Sequence, residues 1–93
     1  MKRVEIVANR SVQEEIVMSL ETGIPGLYYT LIPVVHGRGP EDWKLGTVVW
    51  PEENFVLFTY QDETNAAEVV RIVRELKQQF PKEGIKVWTV AAD

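Results

Sequence analysis

The sequence predicts an α+β sandwich in the order strand, helix, strand, strand, helix, strand, with an antiparallel sheet that carries both helices on one face. Three observations lead there. Residues 3–8 place Val4, Ile6 and Ala8 in alternation with Arg3, Glu5 and Val7, the period of a strand with one buried face. Two later segments repeat apolar residues at helical spacing and are bounded by breakers. The runs around those helices are rich in aromatic and β-branched residues.

After the first strand, Ser11 and Glu14 have the spacing of a capping box, which predicts a helix opening at Ser11. Val12, Ile16, Val17 and Leu20 form its apolar stripe. Gly23 is expected as the left-handed residue that closes it, with Pro25 blocking continuation. Leu27 to Val35 reads as the second strand, and Pro33 inside it predicts an edge position or a bulge. His36 to Asp42 is a loop by its glycines and proline. Thr47–Trp50 and Phe55–Tyr60 read as strands, with Pro51-Glu52-Glu53-Asn54 as a turn between them. A second helix follows Asp62 or Thr64 and buries Ala66, Val69, Val70, Val73, Leu76 and Phe80, while Glu68, Arg71 and Glu75 pair on its outer side. Pro81 ends this helix, Gly84 turns the chain, and Ile85–Ala91 is the last strand. Two βαβ halves in this order give the ferredoxin-like βαββαβ sandwich.

The 93 residues correspond to one domain, 1–93, and 45% of them are hydrophobic, ample for a core. A domain this short gains modestly from burial, so the apolar surplus points to a subunit interface. Ten Lys and Arg against 14 Asp and Glu give a net charge of −4, which argues against a nucleic-acid partner. No apolar run reaches the roughly 20 residues of a membrane span, and the N-terminus reads as a strand and not as a leader, so a cytoplasmic location is expected. The chain has no cysteine, which removes thiolate chemistry and Cys-ligated metal.

Residues for catalysis are sparse: Ser11 and Ser19 are the only serines and His36 the only histidine, so no enzyme activity is expected. Glu14-Glu15 and Glu52-Glu53 fall at a helix start and a turn, where charge is ordinary. The segment of greatest interest is Val35-His36-Gly37-Arg38-Gly39. Two glycines flanking an arginine suit close approach of backbone to an anion, although the same residues also describe a plain exposed turn. Trp43 and Trp50, beside this loop, suit either a lid over a ligand or a plug in a subunit interface, and the apolar surplus favours the interface.

Gly23-Ile24-Pro25-Gly26, Val35-His36-Gly37-Arg38-Gly39, Gly46 to Pro51, and Asn54 to Asp62 followed by Glu63, Ala67, Glu68, Val69 and Val70 resemble the nitrogen-regulatory PII family over most of the chain. The resemblance implies a non-catalytic homotrimer that senses a small anionic effector, binds it at His36, Gly37, Arg38 and Gly39, and regulates target proteins, with nitrogen metabolism as the expected setting. Pro40-Glu41 stands where the family has Arg-Gln, and Phe80-Pro81-Lys82-Glu83-Gly84 replaces its glycine- and lysine-rich phosphate loop. The implied protein is a pared-down PII-like one that binds nucleotide weakly and takes a cofactor or effector the sequence leaves open. Trp43-Lys44-Leu45-Gly46 and Phe55–Thr59 are similar to a stretch of the CutA family, which would imply a divalent-cation-binding trimer. In that reading His36, triplicated about a three-fold axis, is the candidate metal ligand. The βαββαβ order also resembles ACT-like small-molecule-binding regulatory modules.

Overall fold

The computed structural model describes residues 1–37 and 53–93. Four strands, β1 (Lys2–Asn9), β2 (Thr30–Val35), β3 (Asn54–Gln61) and β4 (Ile85–Ala91), form one sheet in the order β2-β3-β1-β4. Every neighbouring pair is antiparallel. The helices α1 (Gln13–Gly23) and α2 (Glu63–Gln79) fill the two crossovers. This is the ferredoxin-like sandwich that the residue pattern predicts, with β2 and β4 as its edges.

The alternation of β1 decides which face is buried. Val4, Ile6 and Ala8 point under the helices, together with Phe55 and Leu57 of β3 and Ile85 of β4. Ile16 and Leu20 of α1 and Val69, Ile72, Val73 and Leu76 of α2 close over them. Val70 and Phe80, expected in the α2 stripe, are half-buried at its border. The opposite face of the sheet carries no element among the described residues. It presents Ile32, Tyr60, Trp88 and Val90, each at least 40% exposed. Near its middle the Arg3 guanidinium lies 4.2 Å from the Phe58 ring centroid and bonds Glu5 and the Tyr60 hydroxyl.

Three local expectations change. The Ser11–Glu14 capping box does not form. Asn9 is the cap instead: its Oδ1 accepts from the Ser11 N–H at 2.9 Å, and a 3₁₀ turn over Arg10–Val12 leads into α1. Ser11 turns its hydroxyl to Glu83, 2.9 Å away. Both residues can cap, and the one at the strand end wins because Asn9 is already fixed by the ladder.

Second, Gly23 is the last helical residue and has no left-handed φ; Gly26 does, at +81°. With Pro25 before it and Leu27 N–H bonded to the Ile24 carbonyl at 3.1 Å, Gly26 occupies the third position of a type II turn. Gly23 is instead a packing glycine, since a Cβ there would lie 2.6 Å from Ile72 Cδ1 on the facing helix. Third, that turn consumes Ile24–Leu27, so β2 opens at Thr30 and not at Leu27. Pro33 does mark an edge strand with a register irregularity, between Ile32 and Val35. Asp62 caps α2 by accepting from Asn65 N–H at 2.8 Å.

A buried polar chain ties β3 to its surroundings. The Thr59 hydroxyl donates to the Tyr28 carbonyl at 2.7 Å and accepts from Gln61 Nε2 at 2.8 Å. No buried side-chain polar atom among the described residues lacks a partner.

Candidate functional site

One end of the sheet gathers the C-terminal ends of β1 and β2, the start of β3 and the turn between α2 and β4. Two of these, β2 and β3, are the stems of the segment 38–52, and Val35 opposite Asn54 is the last pair joining them. The β3 stem is tied to β1: Arg10 N–H donates to the Glu53 carbonyl at 3.0 Å, and Arg10 Nη1 reaches Glu53 Oε1 at 3.1 Å. The α2–β4 turn is tied to the same strand end, with Asn9 N–H on the Gly84 carbonyl at 3.0 Å and Ser11 Oγ on Glu83. The consequence is a platform joined by ladder pairing and polar contacts, between whose stems residues 38–52 lie in sequence.

His36 and Gly37, two of the four predicted ligand-binding residues, stand exposed at the exit of β2 on this platform. Among the described residues, nothing lies within 4 Å of where a Cβ on Gly37 would be. Arg38 and Gly39, the other two, lie outside the described residues, as do Pro40–Asp42, Trp43, the strand expected at Thr47–Trp50 and the first half of the turn expected at 51–54. Among the described residues no group of three or more His, Asp and Glu is placed to hold a metal.

Sequence reasoning missed Arg10 and Glu83 as parts of this end. Arg10 brings a guanidinium to the platform, but Glu53 engages it. Glu83 occupies the α2–β4 turn with a carboxylate, which Ser11 holds in place.

No family model matches the sequence, and no curated protein sequence matches it. Solved structures do match its fold. A PII-like signalling protein from Thermus thermophilus superposes with a TM-score of 0.63 at 24% identity, over 96% of this chain and 83% of its own. CPII from Thiomonas intermedia, a nitrogen regulatory PII-like protein bound to ADP, AMP and bicarbonate, superposes with a TM-score of 0.63 at 14% identity, over 99% of this chain and 91% of its own.

The fold is that of the PII-like signalling proteins. A de novo designed protein, Foldit4, fits as well, with a TM-score of 0.63 at 17% identity over 99% of this chain and 98% of its own. The backbone alone thus carries no function, and the assignment rests on the residues at the platform.

Proposed function

We propose that this chain is a non-catalytic PII-like regulatory protein: a cytoplasmic homotrimer that binds a small anionic effector at His36, Gly37, Arg38 and Gly39 and passes the occupied state to a target protein. The observation that carries the reading is the platform. On a PII-like fold, His36 and Gly37 leave β2 beside the Arg10–Glu53 clamp, so an effector bound at their exit bears directly on both stems of residues 38–52. Arg38 supplies the fork of donors for the anion, and Gly37, which no described residue crowds, admits main-chain contact. The trimer is supported by the apolar Ile32, Tyr60, Trp88 and Val90 on the sheet face that no described element covers.

The effector is of the carboxylate, bicarbonate or monophosphate class, and adenine nucleotides bind weakly because Glu83 and a short turn occupy the place of a phosphate loop. A role in nitrogen regulation is the setting that the PII-like fold suggests. Calorimetry with bicarbonate, AMP, ADP and ATP on the wild type and on Arg38→Ala tests the reading. Binding of one of these anions should weaken by at least about tenfold in the variant, as loss of a charge-assisted bond implies. Stability should stay within about 0.5 kcal/mol. An Arg38→Ala protein that unfolds, or that binds as the wild type does, rejects the site. Titration with Zn²⁺ decides the CutA-like alternative, because a His36→Ala change would then abolish the heat of binding.

A further inference from the structure

Between α2 and β4, on the helix side of the sheet, runs a groove of about 520 Å³. A volume of roughly 300–1,000 Å³ is that of a small-molecule site. Its floor is apolar: Ala66 is buried, Val70 half-buried and Ala67 exposed on neighbouring turns of α2. The half burial of Val70, expected in the core from its spacing, marks this flank of the helix. One side of Val70 packs on the core and the other meets the groove. Lys2 and Thr89 line the groove from the sheet. Val4 opposes Thr89 and Lys2 opposes Ala91, so both side chains lie on the helix side with the buried Val4.

The charges along the groove are unevenly matched. Arg71 is engaged by Glu68 and Glu75, the latter at 2.8 Å from Nη1. Lys2 opposes Gln61, two residues before Glu63, so Lys2 and the Glu63 carboxylate share the end where α2 begins. Arg74 lies about three turns further along the helix and has no ion pair among the described residues. It follows Val70 by one turn, and a helical side chain leans toward the N-terminus, which carries the guanidinium back over the apolar floor. In a chain of net charge −4, this leaves one uncompensated cation beside an apolar surface.

We propose that this groove binds an organic monocarboxylate with an apolar body. Arg74 takes the carboxylate through the paired N–H donors of its planar fork. The apolar body lies along Val70 and Ala67, and the methylene stem of Lys2 covers its far end. Glu63 at that end repels a second carboxylate, so the groove selects against dicarboxylates and polyphosphates. The groove borders β4, whereas His36 and Gly37 leave β2 at the opposite edge of the sheet. It is a second ligand site, independent of the effector reading above.

Amide-resolved NMR titration of the full chain with octanoate tests this, with acetate and octanol as probes of head and tail alone and adipate as the dicarboxylate. Octanoate should give saturable shifts at Lys2, Ala67, Val70, Arg74 and Thr89. Acetate, octanol and adipate should each bind at least about tenfold more weakly. Arg74→Gln, which keeps a good helix former at an exposed position, should weaken octanoate by at least about tenfold and leave octanol unchanged. Ala67→Glu sets a carboxylate on the exposed part of the floor and should abolish the octanoate shifts while circular dichroism stays native. Octanoate shifts that fall instead around Trp88 and Val90 on the open sheet face, or no shifts at millimolar concentration, overturn the proposal. So does an affinity unmoved by both substitutions, or adipate binding as tightly as octanoate. None of these outcomes bears on the exit of β2, whose probes are bicarbonate and AMP.

Discussion

Replacing Gly23 by Ala puts a methyl group where the structure has no room for one. The new Cβ would sit 2.6 Å from Ile72 Cδ1 and 3.6 Å from Ile72 Cγ1. Only the first distance is a clash, and Ile72 is 6% exposed, so its terminal methyl must swing into packed core or the helices must part. Overpacking of this kind costs about 1–3 kcal/mol. Removing a glycine from a position with ordinary helical φ returns about 0.4–1 kcal/mol. The net effect is a loss of about 1 kcal/mol, or about 4–8 °C in Tm for a domain of this size. Ile72→Val removes the clashing atom and by itself costs about 0.5–1.5 kcal/mol. The double variant should then be more stable than the sum of the single changes predicts by about 1 kcal/mol. Urea denaturation of the four proteins gives the coupling. A Gly23→Ala protein as stable as the wild type, or strictly additive effects, would refute the packing role of Gly23.

Other expectations follow from individual contacts. Asn9→Ala should cost about 1 kcal/mol through the lost cap on Ser11 N–H, and Ser11→Ala, which removes only an exposed bond to Glu83, should cost less; the reverse order in thermal melts would restore the capping box. Thr59→Val leaves the buried Gln61 Nε2 short of a partner, along with the part-buried Tyr28 carbonyl, and should cost about 1–3 kcal/mol by chemical denaturation. The Tyr29 phenol is pushed up by burial and then by the neighbouring Glu21 carboxylate. The folded state therefore holds that proton more tightly than the unfolded one, and this contribution to stability is present below the ordinary phenol range and lost as pH rises through it. Ultraviolet titration should show one of the three tyrosines ionising late in the wild type, and Glu21→Gln should move it earlier.

Much of the fold was legible because its signals were redundant. The alternation of β1, the apolar stripes of both helices and the proline in β2 each point to one placement, and the structure has them there. What the sequence could not separate were residues with two suitable jobs. Asn9 and Ser11 both cap helices, and only the ladder that anchors Asn9 decides between them. Gly23 and Gly26 both satisfy the rule for a helix end. Telling the packing glycine from the turn glycine requires knowing that Ile72, far later in the chain, arrives opposite Gly23. For the same reason Arg10 and Glu83 escaped notice at this end of the sheet: their pairing with Glu53 and Ser11 is produced by sheet order, which no local pattern records.

The most direct test of the account is an amide-resolved NMR titration of the assembled protein with bicarbonate and with AMP. Saturable shifts confined to His36, Gly37, Arg38, Gly39 and the Arg10–Glu53 clamp are predicted for at least one of the two. Shifts that localise to another part of the fold, or spectra unmoved by both anions at millimolar concentration, would contradict the claim that the exit of β2 is an effector site.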